Sequence, residues 1–197
     1  TVRHLIDRIC MPVRVCETLP VKEIIHTPAG ETVLDFGQNY TGYVTFKSAL
    51  PSGTKVTLTT GEVLQQGNFY NDNYRGAKTQ LVYTSNGREE QVRPHFTFYG
   101  GRYVKVEGWP EDCPLNAEDF TGCVVHSDLE RTGYLETSDA AVNQLISNCL
   151  WGQRSNFLDV PTDCPQRNER LGWTGDAQVF SPTASYNMDT RAFYDKY

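Results

Sequence analysis

The chain has 197 residues, 39% hydrophobic and 12% aromatic content, and a formal net charge of −6. This composition indicates one large or two small globular domains with a real core, and it excludes a disordered chain. A domain that binds nucleic acid would need a basic stripe, which this charge balance does not favour. No apolar run is long enough to span a membrane. We therefore expect neither nucleic acid nor a membrane among the partners.

The start of the chain and its cysteines say little about the compartment. The first ten residues, "TVRHLIDRIC", are neither a signal peptide nor an initiator Met, so we expect the natural N-terminus to lie upstream. The six cysteines form no CxxC pair and the four histidines are equally scattered, which argues against a structural zinc site. A core of this size also needs no disulfide framework. The localisation stays open.

The first two thirds of the chain have the alternation of β-strands. Short period-two runs rich in Val, Tyr, Phe and Thr are separated by Gly, Pro, Asn and Asp, a pattern that predicts an antiparallel β-sandwich. "PSGTK" and "SNGRE" are hairpin-like turns in which Gly53 and Gly87 can adopt a positive φ. The predicted strand regions are 31–50, 54–64, 79–86, 95–108 and 119–127.

From Ser138 onward the hydrophobic period becomes that of a helix. Ser138 is a suitable N-cap, and a second helix is predicted from about Gly175, with Pro182 starting, kinking or breaking it. Asp189 is expected to cap a third helix. Three helices cannot enclose all their apolar faces, so the helical half is expected to be incomplete. The first helix carries one apolar stripe, formed by Val142, Leu145, Ile146, Cys149 and Leu150.

These two halves predict a division of the chain into domains. Residues 1–19 are expected to be a lead-in or the end of a preceding domain. Residues 20–126 form the β-sandwich, and residues 127–197 form the first helices of a second domain. The aromatic residues of the β half favour core or inter-strand packing over a sugar-binding groove; they are Phe69, Tyr70, Tyr74, Phe96, Phe98, Tyr99 and Tyr103.

The stretch between the first two predicted helices has the highest density of chemically active groups. It reads "DVPTDCPQRNERLGWTGDAQ", residues 159–178, and interleaves carboxylates, arginines and an indole. An unpaired acid near an apolar indole would have a raised pKa, as a general acid requires. The same pattern is also compatible with a charged turn whose acids and arginines pair, a carbohydrate-binding surface or a metal loop.

A resemblance to a known family favours the catalytic alternative. The stretch "NFLDVPTDCPQRNERLGWTGDAQVFSPTASYN" resembles the catalytic-domain signature of the bacterial and fungal α-L-rhamnosidases, glycoside hydrolase family 78. "DFGQNYTGYV", "GTKVTLTTGEVL" and "HFTFYGGRYVKVEG" resemble the family's concanavalin-like β-sandwich. The resemblance covers nearly the whole chain. It implies a mixed, mainly β fold: an antiparallel β-sandwich followed by the first helices of an incomplete (α/α) six-hairpin toroid.

The resemblance also implies roles for particular residues. Glu169 matches the family's general acid, and Asp163, Arg167, Trp173 and Asp176 match positions that hold the rhamnose ring. Carboxylates and Arg suit sugar hydroxyls, and an indole can stack on a 6-deoxy sugar. The implied reaction is inverting hydrolysis of terminal non-reducing α-L-rhamnose from small molecules or polysaccharides. No cofactor is implied; such proteins can carry a structural calcium, but no loop here specifies one.

An inverting mechanism needs a second carboxylate as general base. In the family that base lies in a later part of the toroid, so we expect it outside this chain. We also expect the isolated chain to be inactive and the remainder of the barrel to be its partner. Two alternatives stay open: a non-catalytic carbohydrate-binding β-sandwich, and an inverting α/α-barrel glycosidase for another sugar.

Overall fold

The computed structural model describes residues 7–197, and this part of the chain is mainly β with three α-helices. Short 3₁₀ turns occur at Asp72–Tyr74 and Ala117–Asp119. The strands are β1 (Val13–Pro20), β2 (Glu23–His26), β3 (Thr32–Ser48), β4 (Lys55–Gly61), β5 (Val63–Gln65), β6 (Asn68–Tyr70), β7 (Gln80–Thr84), β8 (Glu90–Val92), β9 (Tyr99–Glu107), β10 (Phe120–Ser127), β11 (Phe157–Leu158) and β12 (Val160–Pro161). The helices are α1 (Ala140–Asn156), α2 (Thr174–Asn187) and α3 (Arg191–Lys196).

Strand β3 organises a curled antiparallel sheet of eight strands. The order is β1-β10-β3-β9-β4-β7, and β2 and β8 also pair with β3. The first part of β3 lies between β2 and β9, and its last part lies between β10 and β8. Its register with β9 shifts between Asp35 and Tyr40, and such an irregularity bends a strand. The predicted mainly β, antiparallel class is confirmed.

The larger core is built from buried side chains of this sheet. Phe46 is fully buried at its centre and stacks on Phe120 with ring centroids 5.5 Å apart. Trp109 and Tyr83 pack on Phe46 at 6.1 and 5.6 Å. Aromatic contacts at these distances add stability beyond the buried area. The alternation of Val, Leu and Phe along the strands is therefore the pattern of one face packed on this core.

The sheet begins earlier than the predicted domain boundary at residue 20. Strand β1 pairs along its length with β10, placing Val13 opposite Ser127 and Pro20 opposite Thr121. The segment expected as a lead-in therefore contributes a complete edge strand. Its sequence, "VRVCETLP", alternates too weakly to be recognised as a strand, since most of its side chains are exposed.

Two predicted turns are confirmed, and one aromatic residue departs from its prediction. Gly53 and Gly87 have φ values of 86° and 78°. Tyr74 is buried, as the packing interpretation requires, but Phe96 is fully exposed at a φ of 55°. It lies before β9, which begins at Tyr99 rather than at residue 95. A residue outside the ladder has no neighbouring strand to pack against.

Helix α1 begins one residue later than predicted, and its N-cap is Asp139 rather than Ser138. The Asp139 carboxylate accepts hydrogen bonds from the backbone N–H groups of Ala141 at 2.8 Å and Val142 at 3.4 Å. These donors have no partner within the helix. A carboxylate also interacts favourably with the positive end of the helix dipole, which a serine hydroxyl does not.

This assignment predicts unequal effects of two neighbouring substitutions. Asp139→Ala is expected to lower the free energy of unfolding by ~0.5–2 kcal/mol, the usual cost of losing an N-cap. Ser138→Ala is the matched control and should change stability by less. Urea unfolding of both variants at pH 7 measures the difference. Equal losses in the two variants would contradict the assignment.

The predicted stripe on α1 is only partly buried. Leu150 and Ile146 pack into a second core, where Phe157 and Phe193 stack at 4.4 Å. Leu145, from the same stripe, is 61% exposed. It adjoins an open apolar surface between α1, α2 and the segment before α1; we call this the uncovered face, and its exposed members are Tyr134, Leu135, Leu145 and Tyr186.

The remaining helices follow the sequence closely. Helix α2 contains Pro182 in its interior, and α3 begins after Thr190, with the Asp189 carboxylate accepting from the backbone N–H of Arg191 at 3.2 Å. The fully buried Gln153 joins α1 to α2 by donating to the Ala184 carbonyl at 3.1 Å. All six cysteines lie in the described range and are free. Within residues 7–197 none of the helices is long and apolar enough to cross a membrane.

Candidate functional site

The loop that connects α1 to α2 begins with a short hairpin whose tip, Asp159, is held by two hydrogen bonds. Asp159 turns the chain between β11 and β12 with a φ of 70°, and Asp163 follows with a φ of 57°. Aspartate tolerates this left-handed region better than most residues. The backbone N–H of Asp159 donates to Ser127 Oγ at 2.9 Å, and Lys196 donates to the Asp159 carbonyl at 2.8 Å. The loop is thus tied to the sheet and to α3.

The later part of the loop rests on the β-sheet. A Cβ atom added to Gly100 of β9 would lie 3.0 Å from Gln166, so the glycine permits a close approach of loop and strand. The guanidinium of Arg170 lies 4.3 Å from the ring centroid of Phe98, a cation–π distance. Burial lowers the pKa of Arg170, although Tyr99 and Tyr74 oppose this effect. The sheet therefore positions the residues that precede α2.

Glu169 lies at the centre of a charged cluster. Its Oε2 atom is 2.6 Å from Arg167 Nη2, and its Oε1 atom is 3.2 Å from Arg75 Nη1. The Cys164 thiol donates to Asp163 Oδ2 at 3.1 Å and lies 3.6 Å from Glu169 Oε2. The side chain of Glu169 is 31% exposed. The structure thus brings together three of the five predicted site residues, and both oxygens of the predicted acid have cationic partners.

These contacts show that Glu169 is paired, so the raised pKa expected of an unpaired acid does not apply to it. Partial burial alone would raise the pKa of Glu169, but the charges of Arg167 and Arg75 and hydrogen bonds from Arg167 and Cys164 lower it below its ordinary value. The two neighbouring cations thus favour the carboxylate form of Glu169. Burial, reinforced by the hydrogen bond and charge of Asp163, raises the pKa of Cys164 to about 11, so its thiol keeps its proton.

The indole N–H of Trp173 also contacts this cluster. Trp173 is the residue before α2, and its Nε1–H donates to the Glu169 carbonyl at 3.2 Å. Its side chain is 44% exposed. One edge of the ring is therefore fixed while apolar surface stays open, as a stacking platform for a sugar requires.

A cavity of about 250 Å³ opens between α1 and α2 beside this cluster. Asp163 and Asp176 both line it, together with Phe157 and Phe180. A second cavity of about 380 Å³ lies between α1 and the sheet, and Asp163 also lines this one. The carboxylate of Asp163 thus stands where the two cavities meet. Asp176 is the fifth predicted residue, and it shares only the first cavity with Asp163.

Two buried polar atoms in this region lack partners. Among the residues that the structure describes, Arg167 Nε and Asn156 Oδ1 are buried without a hydrogen bond. Asn156 lines both cavities. A buried donor or acceptor without a partner costs roughly 1–3 kcal/mol, so such groups call for a ligand or water. A donor and an acceptor together match sugar hydroxyls, which do both.

Sequence reasoning missed two contributors to the site. Arg75 is 94 residues away from Glu169 along the chain, and it lies in the segment "NDNYRGAK", which carries no catalytic pattern. Asn156 is the last residue of α1, where an Asn commonly ends a helix for structural reasons. Neither residue has a local signal, because only the folded topology brings them to the loop.

The cluster has some features of a metal site. Asp163, Cys164 and Glu169 each offer a ligand atom, and these atoms lie within 4.8 Å of one another. However, Arg167 and Arg75 already neutralise Glu169. Two guanidinium groups at this distance oppose the approach of another cation, so the donor set does not fit a metal ion well.

The chain matches two family models in succession. Residues 25–126 match the concanavalin-like domain of bacterial α-L-rhamnosidases. Residues 130–197 match the six-hairpin glycosidase domain of the same enzymes. The junction between the two matches lies where β10 ends and the helices follow.

Known α-L-rhamnosidases resemble the chain throughout its length. A curated enzyme from Streptomyces avermitilis is 43% identical over 196 residues, which are 98% of this chain and 19% of the enzyme. A crystal structure of a Streptomyces avermitilis α-L-rhamnosidase complexed with L-rhamnose has a TM-score of 0.92 at 43% identity, over 98% of this chain and 19% of that one. The Aspergillus terreus enzyme has a TM-score of 0.91 at 42% identity, over 94% and 22%. The chain thus spans about a fifth of the length of these proteins.

Proposed function

Because the chain belongs to the bacterial α-L-rhamnosidase family, we propose that it supplies the general acid and part of the rhamnose site of a larger inverting glycosidase. The whole enzyme removes terminal α-L-rhamnose from rhamnosylated small molecules or polysaccharides. One observation carries the proposal: the loop that resembles the family's catalytic signature places Asp163, Arg167 and Glu169 in one cluster beside a cavity. The chemistry needs two carboxylates and water and no organic cofactor.

The residues of the site have distinct roles in this proposal. Glu169 protonates the departing glycosidic oxygen. Asp163 and Asp176 accept hydrogen bonds from sugar hydroxyls in the cavity between α1 and α2, which both residues line. The exposed face of Trp173 packs on the apolar side of the 6-deoxy ring. The volume of about 250 Å³ is below the range of about 300–1,000 Å³ for drug-sized ligands and suits a single sugar.

The general base is a separate carboxylate. In an inverting enzyme the two carboxyl groups are about 6.5–9.5 Å apart, with water and the sugar between them. Carboxylate oxygens of Asp163 and Glu169 lie within 4.8 Å, and the Cys164 thiol occupies the space between them. Asp163 therefore has no place on the opposite side of the ring. We propose that the base belongs to the rest of the enzyme.

The uncovered face also supports the rest of the enzyme as the partner of this chain. Leu145 and Tyr186 are 61% and 80% exposed at its centre. Contiguous apolar surface of this kind marks an interaction site. We propose that further helices of the barrel cover it, and that the helices then hold the catalytic loop more rigidly.

Hydrolysis with analysis of the product tests the proposal. The longer enzyme that contains this chain is expected to release p-nitrophenol from p-nitrophenyl α-L-rhamnoside, with β-L-rhamnose as the first product by ¹H NMR. The 197-residue chain should give no turnover, because it lacks the base. p-Nitrophenyl fucoside, which has the same aglycone, is the control that tests activity on another sugar.

The outcomes separate the alternatives. Binding of L-rhamnose without hydrolysis by the longer enzyme would favour a non-catalytic carbohydrate-binding module. Faster hydrolysis of another glycoside would favour a different sugar on the same scaffold. Retained anomeric configuration, or turnover by the isolated chain that Glu169→Gln abolishes, would contradict the separate base.

A further inference from the structure

We infer that Arg75, from the β-sheet domain, is a positioning residue that holds the Glu169 carboxylate through its Oε1 atom. This inference deepens the proposed function and rests on it for its catalytic meaning. The contact itself is a feature of this chain: Arg75 Nη1 lies 3.2 Å from Glu169 Oε1.

The two arginines that hold Glu169 are not equivalent. Arg167 lies at 2.6 Å from Oε2, and its side chain is 27% exposed. Arg75 is at 3.2 Å from Oε1, and its side chain is 57% exposed. The Cys164 thiol adds a further contact to Oε2. Oε1 is therefore the less tightly held of the two oxygens, and it is the one from which a proton can pass to a glycosidic oxygen.

The backbone of Arg75 supports a specific role. Its φ of 57° and ψ of −123° are those of the first central residue of a type II′ turn, which glycine normally fills. The glycine that comes next in the chain, Gly76, does not fill this turn position, and Arg75 fills it instead. A non-glycine residue in such a conformation is strained, and strain of this kind accumulates at functional sites. An exposed ion pair alone would be weak support, but a strained backbone that delivers the same side chain is an independent observation.

Neighbouring contacts keep the strained turn in place. Tyr74 is buried, and its hydroxyl donates to the Gly100 carbonyl at 2.6 Å. The Arg75 N–H donates to the Asp72 carbonyl at 3.2 Å. Gly100 is also the point at which Gln166 of the catalytic loop contacts the sheet. The turn and the loop therefore share one support, and the β-sheet domain orients the acid through Arg75.

Titration of Glu169 tests this inference without any catalytic activity. In the 197-residue chain, the ¹³C shift of the Glu169 carboxyl reports its protonation. Arg75→Gly suits the backbone conformation and should fold without strain. The neighbouring cation favours the carboxylate, so its removal is expected to move the midpoint to higher pH. Arg75→Lys keeps a cation and should restore part of the wild-type value. Arg88→Ala, an exposed arginine in the β7–β8 turn, should leave the midpoint unchanged.

A second measurement uses the longer enzyme. General-acid catalysis needs the protonated form, so the high-pH limb of kcat/KM follows the pKa of the acid in the free enzyme. Arg75→Gly is expected to move that limb to higher pH, whereas a purely structural role would lower activity equally at all pH values. An unchanged titration of Glu169 in Arg75→Gly would overturn the inference. A shifted titration in an enzyme without rhamnosidase activity would instead contradict the proposed function.

Discussion

Glu169→Gln in the longer enzyme is expected to lower kcat by about 10²–10⁴-fold for a rhamnoside with a poor leaving group, the usual contribution of a general acid. This loss corresponds to about 2.7–5.4 kcal/mol of transition-state stabilisation. The amide has nearly the shape of the carboxyl group, so the contacts to Arg167 and Cys164 keep their geometry. The Kd for L-rhamnose should therefore change little.

The choice of leaving group separates catalysis from structure. An alkyl rhamnoside needs protonation of its glycosidic oxygen, whereas p-nitrophenolate leaves readily without it. If Glu169 is the acid, Glu169→Gln slows the alkyl substrate far more than the p-nitrophenyl substrate. Steady-state kinetics with both substrates measure the ratio. Equal losses on the two substrates would show that Glu169 has only a structural role.

Asn168→Asp is a suitable comparison for this substitution. Asn168 stands beside the acid in the sequence, and its side chain is exposed. The variant therefore shows how much a change of one charge next to Glu169 alters the kinetics without removing the acid.

The loop could be predicted from the sequence because its residues are close together along the chain. Asp163, Arg167 and Glu169 occupy one connection between two helices, so local spacing alone brings them together. The electrostatic state of the acid could not be predicted in the same way. It depends first on the 2.6 Å contact with Arg167 and then on Arg75, which reaches the loop only because the sheet brings Gly100 against Gln166.

The same contrast between local and long-range information applies to the fold. The strands with a regular alternation, such as the last part of β3 and β7, could be predicted. Edge strand β1 could not, because its side chains are mostly exposed and only pairing with β10 defines it. The apolar stripe on α1 shows the opposite error, in which a residue expected to be buried is exposed. Leu145 has the correct spacing for a core position, but spacing does not reveal whether a partner covers it.

The ion pair between Asp35 of β3 and Arg102 of β9 lies close to the bend of β3. We expect it to have a large effect on the free energy of unfolding. Both guanidinium nitrogens of Arg102 that face Asp35 bind its carboxylate at 2.7 Å. The backbone N–H of Gly37 donates to the same carboxylate at 2.6 Å. The Asp35 side chain is 6% exposed, and that of Arg102 is 35% exposed. Burial alone would raise the pKa of Asp35, but the hydrogen bonds from Arg102 and Gly37 and the charge of Arg102 lower it.

This asymmetry in exposure predicts which substitution costs more. Arg102→Met leaves a buried carboxylate without its cation, and it is expected to lower the free energy of unfolding by ~3–5 kcal/mol at pH 7. Asp35→Asn leaves an arginine that can reach solvent, so its cost should be smaller. The double variant should recover part of the loss. Arg191→Met is the matched control; this arginine is 90% exposed, and its loss should change stability by about 0.5 kcal/mol or less.

The pH dependence of stability gives a second test of the same pair. The pKa of Asp35 is lowered in the folded state. Its contribution to the free energy of unfolding is therefore present above the unfolded pKa of about 3.9, and it is lost as the pH falls through the folded pKa. Below this range protonation also removes the buried charge in Arg102→Met. The difference in stability between wild type and Arg102→Met is therefore expected to shrink from pH 7 to pH 3. Urea unfolding at both pH values measures it, and a difference that stays constant or grows toward low pH would show that packing of Arg102, rather than its charge, stabilises the bend.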